Sequence, residues 1–261
     1  MKALILGAGY GTRLYDEVIK LNPNPLEAVT KQEIGVAKAL INIQGKPVIQ
    51  HLTEKLLKEG FELKDIFVVT NEVFYQLFLD WANDFGFQAK NVVNNKTRSN
   101  GHRLGANTDV ALTIKESNIT DDLMVIAGDT LYIDLNLNSF LKFCNSTGNN
   151  VITFYQDLPE NMTKRGNLIF EDGCLVGFIE KPKVPASNLA FPSLNVIKAP
   201  YLDLLKKFLI ENPELERNDG HGFFIQWLMA KGYAIQGYQI PGRFDLGTYA
   251  DCLRAQKEFK P

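Results

Sequence analysis

Leu4-Ile5-Leu6-Gly7-Ala8-Gly9-Tyr10-Gly11-Thr12-Arg13-Leu14 is an apolar run that breaks into three spaced glycines and a cation. A short, wholly apolar segment reads as a strand buried on both faces, and glycines after it let the backbone approach a ligand closely. Leu6, Gly7, Ala8, Gly9, Gly11 and Thr12 can then turn amide hydrogens toward phosphate oxygens, while Arg13 adds a charge-assisted fork. The plain alternative is a tight turn with no ligand. Two other glycine motifs fit poorly. A dinucleotide fingerprint needs a third glycine where Thr12 stands and an acid after the next strand, where Val69-Thr70-Asn71 stands instead. A phosphate loop of the Gly-Lys-Ser/Thr kind has no match in the chain.

Outward from this turn, apolar runs alternate with amphipathic stretches, the pattern of a mostly parallel sheet covered on both faces. Strands are predicted at Ala3 to Leu6, Asp65 to Thr70, Asn91 to Val93 and Leu123 to Ala127. Helical spacing in Val48, Leu52, Leu56 and Leu57, and again in Phe74, Leu77, Phe78 and Trp81, predicts helices over Pro47 to Glu59 and Glu72 to Phe85. After Asp134 the rhythm changes. Strands near Val151 to Tyr155, Asn167 to Phe170 and Cys174 to Ile179 surround the turn Glu171-Asp172-Gly173, a hairpin that makes the sheet mixed. Helices return at Tyr201 to Glu211 and Gly222 to Met229, a strand at Ala234 to Tyr238, and a last helix from about Thr248 to Lys257. Asp16 to Val36 contains Asn22-Pro23-Asn24-Pro25 and little periodicity, so it reads as an inserted loop. No repeat or linker divides the chain, which reads as one α/β domain over residues 1–261 with a three-layer α/β/α, Rossmann-like mixed sheet.

Composition narrows the partners. With 28 Lys and Arg against 30 Asp and Glu the net charge is −2, so there is no broad basic face for nucleic acid or an anionic membrane. No apolar run approaches the ~20 residues that cross a bilayer, and Met1-Lys2-Ala3 enters a buried strand rather than a leader. Three cysteines, Cys144, Cys174 and Cys252, and three histidines, His51, His102 and His221, show no metal-ligand spacing, and the odd cysteine count suits a reducing, cytoplasmic compartment. The Asn-x-Ser/Thr matches at Asn95, Asn118, Asn145 and Asn161 then carry no function.

Five short segments, in order, make the chain resemble the sugar-1-phosphate nucleotidyltransferases, whose fold is the nucleotide-diphospho-sugar transferase type. They are Gly9-Tyr10-Gly11-Thr12-Arg13, Lys38-Ala39-Leu40 with Gly45-Lys46-Pro47, Ile126-Ala127-Gly128-Asp129, Phe178-Ile179-Glu180-Lys181-Pro182, and Phe244-Asp245-Leu246-Gly247-Thr248. Together they span essentially the whole chain. Two departures stand out: Ala37 precedes Lys38 where the family has proline, and roughly twenty extra residues separate Arg13 from Lys38.

The resemblance implies a reaction in which a nucleoside triphosphate and a small phosphorylated acceptor, a sugar 1-phosphate, give a nucleotide sugar and pyrophosphate. It implies Mg²⁺ held by Asp129 and Asp245, positive charge on the triphosphate from Arg13 and Lys38, and a base and ribose subsite near Gly105. It also implies an acceptor subsite of Gly166, Asn167, Glu180 and Lys181, so that residues to about 134 bind nucleotide and those from about 135 bind acceptor. The chemistry is sensible on its own terms. Asp129 follows a strand at the carboxyl edge of the sheet, and two carboxylates with substrate phosphates suit Mg²⁺. A lone Asp is otherwise a cap or turn former, and a lone surface lysine is solvated. Other readings stay open: a cytidylyltransferase acting on a phosphocholine-like ester, a non-catalytic nucleotide-binding homologue, and a nicotinamide enzyme. The acidic, mixed surface suits a monomer or a homo-oligomer.

Overall fold

The two-residue period of the strands decides where the cores lie. In β1 (Lys2–Leu6) Ala3 and Ile5 join one apolar cluster and Leu4 joins another, so the strand is packed on both faces. The computed structural model describes residues 1–214 and 220–261. The glycine turn leads into α1 (Thr12–Val18), and two small hairpins follow, β2 (Thr30–Lys31) with β3 (Gly35–Val36) and β4 (Asn42–Ile43) with β5 (Lys46–Pro47). Then come α2 (Val48–Lys58), β6 (Ile66–Thr70), α3 (Tyr75–Phe85), β7 (Val92–Asn94), α4 (Ala106–Glu116), β8 (Leu123–Ala127), β9 (Thr130–Ile133) and α5 (Leu137–Ser146). The second half runs β10 (Asn150–Gln156), β11 (Gly166–Glu171), β12 (Cys174–Glu180), β13 (Leu189–Ala190), β14 (Leu194–Ile197), α6 (Leu202–Glu211), α7 (Gly222–Ala230), β15 (Ile235–Gln239), β16 (Gly242–Asp245) and α8 (Tyr249–Glu258).

One ten-stranded mixed sheet runs in the order β13-β11-β12-β15-β10-β14-β8-β1-β6-β7. The β8, β1, β6 and β7 group is parallel, as expected for strands joined through helices, while β14 lies antiparallel against both β8 and β10. Helices α2, α3 and α5 cover one face through Leu52, Phe78 and Phe140. On the other face α4, α6 and α7 do the same through Val110, Phe208 and Phe224, which completes three layers. A third cluster joins α1 and α8 to the β9–β16 pair through Leu14, Leu131, Phe244 and Cys252. No helix among the described residues is long and apolar enough to cross a membrane.

The stretch 16–36 is less of an insertion than its sequence suggests. Helix α1 runs on to Val18, and the β2–β3 hairpin closes it by placing Val36, fully buried, against Leu14 and Val18. The segment therefore has a positional role. It returns the chain beside the glycine turn, where the Val36 N–H donates to the Tyr10 carbonyl (2.9 Å), and then delivers Lys38.

Candidate active site

Strands β1 and β8 end side by side, with Leu6 opposite Ala127, and both open at the carboxyl edge of the sheet. Gly128 is required there. Its N–H donates to the Leu6 carbonyl (2.9 Å), and a Cβ at this position would stand 2.5 Å from that oxygen. Asp129 thus leaves β8 directly against the glycine turn. In the turn itself Gly11 has φ +58°, and its Cβ would lie 2.4 Å from the Val36 oxygen and 3.1 Å from Lys38 Cγ. Gly9 differs: a Cβ there meets no atom of the described residues within 4 Å, so there is room above it for a ligand. Gly7 packs under the ring of Phe78, and its N–H is held by the Val69 carbonyl (2.8 Å). Leu6 and Ala8 line the start of the turn, Thr12 opens α1, and Arg13 is exposed with no ion pair among the described residues.

Lys38 Nζ is ion-paired with Asp129 Oδ2. Burial works against the ammonium, yet the carboxylates of Asp129 and Asp245 outweigh it and hold Lys38 above the ordinary lysine value. Asp245 ends β16 opposite Thr130 of β9, and the Leu246 N–H donates to the Asp129 carbonyl (3.2 Å), so the two aspartates leave adjacent backbone. The Gly247-Thr248 part of the last segment is a helix start. Thr248 caps α8 in a reciprocal box with Asp251, which fixes where Asp245 stands.

Two arginines reach Asp245 Oδ2, Arg165 Nη1 at 2.7 Å and Arg243 Nη2 at 3.2 Å. Burial pushes this carboxyl up, but Arg243, Lys38 and Arg165 together hold it below the ordinary carboxylate range. Arg243 is itself buried, lies over the Tyr155 ring and bonds the Tyr155 hydroxyl (3.3 Å), while Tyr155 donates to Asp157 (2.8 Å). Sequence reasoning missed both arginines. Their positions, Arg165 directly before Gly166 and Arg243 two residues before Asp245, are the signal that could have drawn notice.

The residues expected to form the acceptor subsite gather at the facing ends of β11 and β12, where Gly166 pairs with Glu180. The Glu180 carboxylate nestles among Gly166, Gly220 and Gly222, close enough that a Cβ on any of them would stand 3.0–3.2 Å from it. Its sole partner among the described residues is Lys181 Nζ at 3.5 Å. Lys181 takes a left-handed backbone, φ +46°, which turns its half-exposed side chain out of the strand's pleat. Asn167 is fully buried and spends its amide on backbone, donating to the Met162 and Arg165 carbonyls and accepting from the Ala186 N–H. It shapes the wall rather than presenting an amide to a ligand.

Gly105, expected near the base and ribose, has φ +87°, precedes α4 and accepts from the Asp109 N–H (3.0 Å). A buried chain of hydrogen bonds ties this region to the glycine turn: the Tyr10 hydroxyl to Thr97, Thr97 to Asn95, and Asn95 to Asp109. His102 is exposed and bonds Ser99 (2.8 Å). Asn107 donates to the Gly220 carbonyl (3.3 Å) while its buried Oδ1 has no partner among the described residues.

Two carboxylates from adjacent backbone, each with Oδ1 accepting no hydrogen bond among the described residues, are an oxygen donor set of the kind Mg²⁺ takes beside substrate phosphates. The described residues hold no cluster of three His, Cys, Asp or Glu, so this protein set supplies at most part of a coordination shell. The residues fit the ion on those terms.

A family model for nucleotidyl transferases matches residues 2–260. The chain belongs to that family. Among curated relatives of this nucleotidyl transferase, a Sulfolobus acidocaldarius protein provisionally named mannose-1-phosphate guanyltransferase is 28% identical over 259 residues, covering 99% of this chain and 63% of the relative. A Methanocaldococcus jannaschii bifunctional protein GlmU is also 28% identical over 259 residues, covering 98% of this chain and 54% of the relative. The chain therefore spans somewhat over half the length of these relatives. A Bacillus anthracis crystal structure, provisionally named glucose-1-phosphate thymidylyltransferase and in complex with a sucrose, superposes with TM-score 0.76 at 20% identity, over 100% of this chain and 97% of that one. Apo UDP-glucose pyrophosphorylase gives TM-score 0.70 at 18% identity, over 98% and 97%. These structural likenesses establish the fold, a nucleotide-diphospho-sugar transferase sheet, as the sequence segments implied.

Proposed function

We propose that this nucleotidyl transferase joins a nucleoside triphosphate to a sugar 1-phosphate, releasing pyrophosphate. The observation that carries the reading is the meeting of the glycine turn, Lys38, Asp129 and Asp245 at one sheet edge, with Glu180 and Lys181 beyond them. A phosphate oxygen of the acceptor attacks the α-phosphorus, the new phosphorus–oxygen bond forms, and the bond to the β-phosphate oxygen breaks. The departing pyrophosphate takes the electron pair. No general base is required, because a phosphate monoester is already ionised and nucleophilic at neutral pH.

The chain's part is then orientation and neutralisation of charge. Backbone amides from Leu6 to Thr12 and the charges of Arg13 and Lys38 hold the triphosphate, and the open space over Gly9 lets it approach. Gly105 offers backbone to the base and ribose. Glu180, with no hydrogen-bond donor of its own among the described residues, accepts sugar hydroxyls, and Lys181 lies beside the acceptor's phosphate. Asp129 and Asp245 would hold Mg²⁺, which when bound supplies charge neutralisation at the phosphates.

The names of the relatives set the first substrates to try, GTP with mannose 1-phosphate and dTTP with glucose 1-phosphate. The test is pyrophosphate release with Mg²⁺ across five nucleoside triphosphates and a panel of sugar 1-phosphates, with phosphocholine included. Release dependent on one sugar phosphate is the expected result. Release with phosphocholine alone would move the acceptor class, and nucleotide binding without release in any pairing would refute the catalytic reading.

A further inference from the structure

Arg165 stands in the gap that the acceptor's phosphate has to cross. Its backbone is on the acceptor side, where its carbonyl accepts from the Lys181 N–H (3.0 Å) just beyond the Gly166–Glu180 pair. Its guanidinium is on the other side, with Nη1 on Asp245 Oδ2 at 2.7 Å and Nε on Asp157 Oδ2 at 3.3 Å. The Leu246 N–H donates to the Asp129 carbonyl (3.2 Å), so the Arg165 side chain bridges from Lys181 to the pair of aspartates beside the glycine turn. Any phosphate linking a sugar near Glu180 to a nucleotide near Gly9 passes this point.

The electrostatics leave Arg165 with capacity to spare. Asp245 Oδ2 already accepts from Arg243, and Arg243 is 9% exposed with further bonds to the Tyr155 hydroxyl and the Pro192 carbonyl. That arginine is locked by its surroundings. Arg165 shares the same carboxylate oxygen, is 23% exposed, and its Nη2 has no hydrogen-bond partner among the described residues. Two guanidiniums on one oxygen repel each other, and an incoming dianion beside the outer one relieves that repulsion. The remaining Nη2 can donate a charge-assisted hydrogen bond to a phosphate oxygen from a fixed direction, whereas the Lys181 ammonium offers a point charge. Asp157 holds the Nε end, so the fork is oriented before the acceptor arrives.

We propose that Arg165 binds the phosphate group of the acceptor. The proposal rests on the nucleotidyl-transfer reading above. Its test is initial-rate pyrophosphate release with acceptor and nucleotide varied separately for wild type, Arg165→Lys and Arg165→Gln, with calorimetric binding of the active sugar 1-phosphate in parallel. Losing a charge-assisted hydrogen bond to the phosphate is expected to raise the acceptor KM and Kd about tenfold for Arg165→Lys and by up to about a hundredfold for Arg165→Gln. The nucleotide KM stays within about twofold. Arg165→Lys keeps a cation between Asp157 and Asp245, so it preserves the fold if the glutamine variant does not. An acceptor KM and Kd within twofold of wild type, or equal rises for acceptor and nucleotide, would overturn the role of Arg165 while leaving nucleotidyl transfer standing. A wild type silent with every sugar 1-phosphate would instead overturn the reading on which it rests.

Discussion

Gly9 and Gly11 are two residues apart in one motif, and the structure separates what each does. At Gly11 a side chain must adopt the left-handed region, φ +58°, which costs a Cβ-bearing residue about 1–2 kcal/mol. The methyl would also stand 2.4 Å from the Val36 oxygen, and relieving such an overlap in a packed wall adds about 1–3 kcal/mol. The expected loss for Gly11→Ala is therefore about 3 kcal/mol, or about 6 °C in midpoint for a chain of this length. Gly9 lies outside the left-handed region and a methyl there would meet no atom of the described residues within 4 Å, so Gly9→Ala should melt within about 1 °C of wild type. What that methyl would obstruct is the ligand. One lost charged hydrogen bond to a phosphate is worth about 1.5 kcal/mol, so the nucleotide KM should rise about tenfold. Differential scanning calorimetry and pyrophosphate-release kinetics on both variants make the test. A Gly11→Ala protein that melts like wild type would refute the steric argument. A Gly9→Ala protein with an unchanged nucleotide KM would mean that the open space is not where the triphosphate lies.

Asp129→Asn and Asp245→Asn should each reduce Mg²⁺-dependent turnover by at least about a hundredfold, and a near wild-type rate in either would remove that residue from the metal site. They should differ in stability: Asp245→Asn leaves buried Arg243 without its counter-charge and should cost about 3 kcal/mol in urea unfolding, a loss Asp129→Asn should not match. Lys181→Ala should raise the acceptor KM more than the nucleotide KM, and an unchanged acceptor KM would end its proposed role. His221 is buried with no hydrogen-bond partner among the described residues, and burial lowers its pKa to about 4. Because the unfolded chain then binds the proton more readily, stability should fall as pH drops from about 6.5 to about 4, by about 3 kcal/mol at most. His221→Asn should flatten that limb in a series of thermal melts; an identical pH dependence in wild type and variant would contradict the burial argument.

Elements whose apolar residues keep one period over several turns are legible in the sequence. Leu123 to Ala127 is a strand with those same ends, and Pro47 to Glu59 and Gly222 to Met229 hold helices to within a residue at each end. What escapes is short or interrupted. Strand β14, Leu194–Ile197, carries a buried Asn195 in the middle of four residues and sits between two strands it does not follow in sequence. Its place follows from sheet closure, which no local pattern encodes. Helix α5 is a different kind of miss, since Leu137, Phe140 and Cys144 stand at helical spacing and the signal is present in the residues.

The site divides along the same line. Motif residues that serve backbone geometry are readable, because Gly128 and Gly11 are demanded by contacts of 2.5 and 2.4 Å that only glycine survives. Charge partners are not readable, since Lys38 meets Asp129 from 91 residues away and Arg165 meets Asp245 from 80. Their pairing also explains how the chain tolerates an alanine before Lys38 and some twenty residues of spacer. The β2–β3 hairpin returns the backbone to Tyr10 by a hydrogen bond, so the lysine is delivered by tertiary structure rather than by nearness in sequence. Three cations, Lys38, Arg165 and Arg243, thus pair with three carboxylates, Asp129, Asp245 and Asp157. The site is balanced within itself, so on the proposed reading the charge that meets the substrate phosphates comes from groups with donors to spare, Arg13 and the outer nitrogen of Arg165, and from bound Mg²⁺.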